Sequence, residues 1–126
     1  MYNLKLIIMS KHFRFEDLKI WQKAVTIANK LFSISLELDK KGFHRYAEQV
    51  RASGLSMCNN IAEGSGSFKN RNFNRYLDYS RSSVFESANV VIILYMQSLI
   101  SLDTRDELYL DLEELSKMIT GFQRTL

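Results

Sequence analysis

The chain has no proline in 126 residues, only five glycines, one cysteine and two histidines. Each scarcity excludes something. Without proline, no residue removes an amide donor or clashes with the preceding turn, so long helices can run unbroken. The lone Cys58 permits no intramolecular disulfide, which fits a reducing compartment. His12 and His44 sit near segment starts, no His/Cys pairing has zinc-ligand spacing, and neither HExxH nor a Glu-x-x-His pair occurs. No metal or cofactor is therefore expected. No apolar run approaches the roughly 20 residues that span a bilayer. The opening MYNLKLIIMSKHF carries no signal-peptide cleavage pattern, so a soluble cytoplasmic protein without membrane partners is predicted.

What is present is ordinary globular composition, 46% hydrophobic and 25% charged, enough for one domain with one core. The expected division is an N-terminal extension over residues 1–12, with Met9 as a candidate start, and a bundle over residues 13–126. Four helical segments are separated by short breaks. The first runs from about Glu16 to Leu38, with a stripe of Trp21, Ala24, Val25, Ala28, Leu31, Phe32 and Leu38. Gly42 suits the left-handed closure of a helix. The second runs from about Phe43 to Glu63 and stops at Gly64-Ser65-Gly66-Ser67. The third spans about Asn70 to Ile100, and the fourth opens at Thr104 with a Thr104/Glu107 capping box. Its stripe is Leu108, Leu112, Leu115, Ile119, Phe122 and Leu126. The fold class is all-α, an antiparallel up-down-up-down four-helix bundle assembling as a homo-oligomer.

Two faces exceed what one core requires. On the second helix, Gln49, Ser53, Ser56, Asn60 and Glu63 form a strip of mostly short, neutral polar groups beside the apolar arc. Such groups suit a partly buried seam, because each needs a hydrogen-bond partner when buried. Ser80, Ser83 and Ser87 on the third helix are the expected partners. Phe85, Ile92, Met96 and Leu99 lie on an arc displaced from the third helix's core stripe, within a half that reads VVIILYMQSLI. A single bundle cannot bury both arcs, so Phe85, Ile92, Met96 and Leu99 are predicted to form a subunit interface.

Charge is uneven: residues 1–81 hold 14 Lys and Arg against 7 Asp and Glu, and residues 82–126 hold 3 against 7. This permits a basic face for nucleic acid or a contact between subunits. The candidate nucleic-acid residues are Lys69, Arg71 and Arg75 at the start of the third helix, and Lys40, Lys41 and Arg45 at the first interhelical turn. Gly64-Ser65-Gly66-Ser67 lacks the lysine and preceding strand of a phosphate loop, and no catalytic residue is nominated.

Phe15-Glu16-Asp17-Leu18-Lys19-Ile20-Trp21-Gln22-Lys23-Ala24, Gln49-Val50-Arg51, Asn60-Ile61-Ala62-Glu63-Gly64 and Ser80-Arg81-Ser82-Ser83-Val84-Phe85-Glu86 together resemble the "four helix bundle protein" family. Its founding members are encoded in intervening sequences of bacterial large-subunit ribosomal RNA genes, hence a ribosomal-protein label. The resemblance implies a homopentameric bundle without enzymatic activity, linked to RNA. The architecture is similar to that of the accessory protein of diversity-generating retroelements, which works with nucleic acid and a reverse transcriptase. Here Arg51 is followed by Ala52, and Gly66 by Ser67, where relatives usually carry further basic residues. The expected partners are copies of itself and RNA or a nucleic-acid-handling protein; the alternative is an adaptor oligomer that binds another protein only.

Overall fold

The computed structural model describes residues 12–126, and Met9 with the rest of the proposed extension up to residue 11 lies outside the described residues. The described residues form four α-helices and no strand: α1 (Lys19–Lys40), α2 (His44–Ser65), α3 (Asn70–Met96) and α4 (Leu102–Gln123). A 3-10 turn, Arg14–Asp17, precedes them. Helix α1 therefore starts later than Glu16, because Leu18 adopts an extended conformation between the two elements.

The core is one cluster fed by all four helices, from Ile20, Ile27, Leu31 and Leu38 through Met57, Ile61, Phe73, Leu77 and Leu94 to Leu108, Leu112, Leu115 and Ile119. Phe32, expected in the α1 stripe, points outward instead. The true stripe runs through Ile20, Ala24, Ile27, Leu31, Ser35 and Leu38, and Phe32 falls on its margin beside α2.

Helix ends follow local chemistry. Gly42 takes φ +86°, with Phe43 N–H donating to Leu38 C=O at 2.8 Å and Gly42 N–H to Asp39 C=O at 3.0 Å, the paired bonds of a Schellman closure. Helix α3 stops at Met96, short of Ile100, by the same device. Ser98 sits at φ +61°, Leu99 N–H donates to Leu94 C=O at 2.9 Å, and Ser98 N–H to Tyr95 C=O at 2.9 Å. The α4 cap is Ser101, not Thr104: its Oγ accepts the Thr104 N–H at 3.1 Å, and its backbone is extended.

Particular side chains tie neighbouring helices together. Arg51 of α2 reaches Asp39 while Gly54 lies against Leu31 and Ala28. Ser56 meets Ser83 while Gly64 lies against Phe73. Phe122 packs on Phe73 at 5.4 Å between ring centroids, and Gln123 Nε2 donates to Asp78 at 2.8 Å. Arg14, ahead of α1, the end of α2, the beginning of α3 and the end of α4 are thus in mutual contact.

Helix α2 does not stop at Glu63. It continues through Gly64 to Ser65, and Gly64 is buried against α3. A Cβ there would lie 2.7 Å from Tyr76 Cβ and 2.9 Å from Phe73 Cδ1. Gly64→Ala is expected to destabilise the protein by about 1–3 kcal/mol, the usual range for overpacking. Gly121→Ala, where nothing lies within 4 Å, should be neutral or mildly stabilising; urea unfolding of both variants checks this.

Candidate nucleic-acid interface

The two predicted basic clusters are not brought together. Lys69, Arg71 and Arg75 lie where α2 passes into α3, and Lys40, Lys41 and Arg45 lie where α1 passes into α2. Helix α2, of 22 residues, separates them by about 33 Å at 1.5 Å per residue.

Their electrostatic settings also differ. At the α1–α2 turn, Lys40 pairs with Glu37 at 3.1 Å, and Asp39 collects His44 at 2.9 Å and Arg51 at 2.7 Å. The bonds from Arg51 and His44 hold the Asp39 carboxyl below its ordinary pKa, so this acid remains charged among the basic groups. At the opposite end, Lys69, Arg71 and Arg75 are exposed and none forms an ion pair among the described residues. Arg75 rests over the Tyr76 ring at 5.7 Å. Arg14 reaches the same end from the 3-10 turn, lying over Phe73 at 5.1 Å and donating from Nη1 to the Ser65 carbonyl at 3.5 Å. Sequence reasoning missed Arg14; it stands just before the Phe15–Ala24 segment, and nothing in the sequence there signals that it folds back across the α2–α3 turn.

The lysines of α1 are engaged elsewhere. Lys23 Nζ contacts Asp111 and Glu114 at 3.1 Å each, and Lys30 Nζ contacts Glu107 at 2.7 Å and Asp111 at 2.8 Å. Part of the charge asymmetry is thereby neutralised inside the molecule, with acidic α4 laid along α1. Burial works to raise the Asp111 pKa, but the bonds from Lys30 and Lys23 together outweigh it and leave the carboxyl lowered.

The polar strip is narrower than its sequence pattern. Ser56 Oγ and Ser83 Oγ share a hydrogen bond of 2.7 Å, Ser80 Oγ donates to the Met57 carbonyl at 2.8 Å, and Ser53 Oγ donates to Val50 at 3.2 Å. Asn60 Nδ2 donates to the Ser56 carbonyl at 2.9 Å and to its Oγ at 3.1 Å. Gln49 and Glu63 are exposed, because they lie at the rim of the arc that faces α3 and their longer side chains extend past it. Ser87 Oγ is buried without a partner among the described residues. Asn59 is exposed too.

Of the predicted interface residues, Phe85 is 63% and Met96 74% exposed, and Ile92 is half-buried. Leu99 departs from this arc: the closure at Ser98 turns it back, and it packs against the core. Leu55, Phe32 and Leu36 form a second exposed apolar set, with Phe32 and Leu55 bordering a groove of about 310 Å³ between α1 and α2.

The described residues contain no group of three or more His, Cys, Asp or Glu able to hold a metal ion, and no helix long and apolar enough to cross a membrane. Cys58 is buried, donates to the Gly54 carbonyl at 3.7 Å, and has its thiol pushed up to about 12 by desolvation. Thiolate chemistry is therefore unfavourable at neutral pH.

Residues 16–121 match the family model described as 23S rRNA-intervening sequence protein. The chain belongs to this family. Among solved structures, it is similar to a protein of unknown function from the S23 ribosomal protein family of Bacteroides thetaiotaomicron, with TM-score 0.78 and 17% identity. The likeness covers 82% of this chain and 97% of that one, and at this identity it speaks for the shared helical fold. No curated protein matches the chain. The family match spans the Trp21 segment, the Asn60–Gly64 segment and the start of α3, so Lys69, Arg71 and Arg75 lie within the matched region and Arg14 just before it.

The α1–α4 ion pairs carry a pH signature. The Asp111 pKa is lowered by folding, so its contribution is present above the unfolded carboxylate range and is lost as pH falls through the lower folded value. Asp111→Asn should cost on the order of 1 kcal/mol at pH 7. Denaturation curves of the two proteins are expected to converge as pH falls through the lowered folded value of Asp111; a difference that persists once the carboxyl is protonated in both states would exclude the ion pairs as its source.

Proposed function

We propose that this protein is a non-enzymatic, up-down-up-down helical bundle that assembles into a homo-oligomeric ring and binds RNA through a basic end repeated in every subunit. The observation that carries the reading is the exposed, unpaired trio Lys69, Arg71 and Arg75 beside Arg14 at one end of the bundle. Cations already matched by carboxylates add little to phosphate binding, whereas unpaired ones release counterions on contact. In the other predicted trio, Lys40 is matched by Glu37, and the Asp39 carboxylate, held by His44 and Arg51, sits nearby; of the three, only Lys41 and Arg45 form no ion pair among the described residues, so that trio plays a lesser part. A family named for an intervening sequence of 23S rRNA makes RNA the natural polyanion.

Assembly rests on two unlike apolar patches. Phe85, Ile92 and Met96 continue the flank of α3 on which Asp78 meets α4, while Phe32, Leu36 and Leu55 lie on α1 and α2. These are opposite edges of the bundle. Unlike edges favour head-to-tail contacts that close a ring over the self-complementary patch of a two-fold dimer. The family resemblance implies five subunits. A ring repeats a weak basic site and raises its effective strength through avidity.

RNA affinity is expected to fall by about 10³-fold or more between 50 and 200 mM salt if several phosphates are neutralised. Reversal of Lys69, Arg71 and Arg75 to glutamate should abolish binding without changing the unfolding midpoint by more than a small amount. Salt-independent capture of a protein partner, with no RNA retained, would support the adaptor alternative instead. Sedimentation velocity at micromolar concentration should show a discrete oligomer, and a monomer alone would sink the ring. Met96→Glu is expected to shift the wild-type species toward monomer.

A further inference from the structure

Between Ser65 and Asn70, the α2–α3 connection holds a phenylalanine where a turn ordinarily carries a polar residue. Phe68 is 106% exposed, more than any other large apolar side chain described. The loop beneath it is hydrogen-bonded on both sides. Gly66 N–H donates to Glu63 C=O at 3.2 Å and Ser67 N–H to Gly64 C=O at 3.0 Å. Ser67 Oγ accepts from Lys69 N–H at 3.2 Å and donates to the Lys69 carbonyl at 3.3 Å. The Lys69 carbonyl also accepts the N–H groups of Asn72 and Phe73, both at 3.1 Å. The loop is thus tied to the ends of two helices, and the ring is presented by a fixed backbone.

Isolated apolar residues on a surface need no explanation in themselves. Phe68 differs in its surroundings: Lys69 follows it directly, and Arg71 and Arg75 succeed on exposed positions of α3. A second exposed ring, Phe13 at 73%, belongs to the same end through Arg14, whose guanidinium reaches the Ser65 carbonyl. Phe13 stacks on Phe15 at 5.7 Å with 9° between planes, and Phe15 meets Trp21 at 5.0 Å. Phe13 is thus braced from beneath, with its ring largely open to solvent.

An exposed aromatic face among unpaired cations is the arrangement that recognises single-stranded nucleic acid: cations follow the backbone, and an unstacked base lies on the ring. A duplex has its bases already stacked and presents mainly phosphates, so it gains from the cations and little from the ring. The geometry points to Phe68 as a stacking platform that makes the basic end selective for unpaired nucleotides over duplex. This rests on the nucleic-acid reading above and adds to it the strandedness of the ligand.

The test uses the full chain and four fluorescent probes: a single strand of mixed-sequence RNA, its DNA counterpart, and the blunt duplex of each. All are about 20 nucleotides long, beyond the 4–16 typical of a compact single-strand site. Binding is read by anisotropy at low salt for wild type, Phe68→Ala, Phe68→Tyr and the triple glutamate variant. Phe68→Ala should weaken single-strand binding by about five- to hundredfold, the range for loss of one stacked base. Duplex binding should change less than about twofold, and Phe68→Tyr should keep near wild-type affinity. If RNA and DNA single strands respond alike, stacking alone carries the effect; an RNA-only response adds recognition of the 2′-hydroxyl, and either supports the platform. Equal loss on single strand and duplex would overturn it, as would unchanged single-strand affinity in Phe68→Ala while the glutamate variant loses binding; the latter leaves the basic-end reading standing. No binding of wild type to any probe would remove both. Dissociation of the oligomer by Phe68→Ala would assign the ring to a contact between subunits and overturn the platform.

Discussion

The close approach of α2 to α3 at Gly64 is the contact on which the rest of the molecule depends. There is no room for a Cβ between Gly64 and the Tyr76 and Phe73 side chains, so the two helices cross at a separation that only glycine permits. At that separation, small residues are the ones that fit: Ser56 bonds Ser83, and Ser80 reaches a carbonyl of α2. On its other flank, α2 meets α1 at Gly54, where an added Cβ would lie 3.2 Å from Leu31 and 3.5 Å from Ala28 Cα. Helix α2 is thus the spine against which both neighbours settle. The start of α3 is held over the end of α2, and the backbone that carries Lys69, Arg71 and Arg75 is set in place as a result.

Electrostatics then sorts the charges. Acidic α4 lies along α1 and takes up Lys23 and Lys30, which leaves unpaired cations at the turns, Lys69, Arg71 and Arg75 at one end of α2 and Lys41 and Arg45 at the other. The seventeen Lys and Arg residues are therefore unequal. Several are structural, Arg51 among them, since it ties Asp39 and Ser35 together across α1 and α2. A net charge says nothing of this division, which depends on which helices are neighbours.

Helix number, the apolar stripe of α4, and the closure at Gly42 were legible from periodicity and from the one residue type that tolerates positive φ. Other features needed the neighbours. Gly64 looked like a terminator because glycine commonly ends helices, but its role here is close approach, which a single sequence cannot distinguish from a turn. Ser98 adopts a left-handed conformation that serine gives no reason to expect, so the end of α3 and the inward turn of Leu99 were missed. Thr104 and Glu107 matched a capping pattern, yet Ser101, three residues earlier, holds the cap. Gln49 and Glu63 belonged to the polar arc by angle, but their side chains outreach it. The separation of the two basic clusters followed once the first interhelical turn and the second were at opposite ends, whereas Arg14 could be added to one of them only from its contacts with Ser65 and Phe73.

Opposite ends that differ in charge give the molecule a direction. One end presents Arg14, Lys69, Arg71 and Arg75; the other matches Lys40, His44 and Arg51 with Glu37 and Asp39 and leaves only Lys41 and Arg45 unpaired. Exposed, unpaired positive charge is thus weighted toward one end of the helices. An approaching polyanion would exert a torque on the bundle at distances up to about the Debye length of 8–10 Å, before any atoms touch. Encounters would begin with the basic end already turned toward the ligand, and raising the ionic strength would first scramble that orientation.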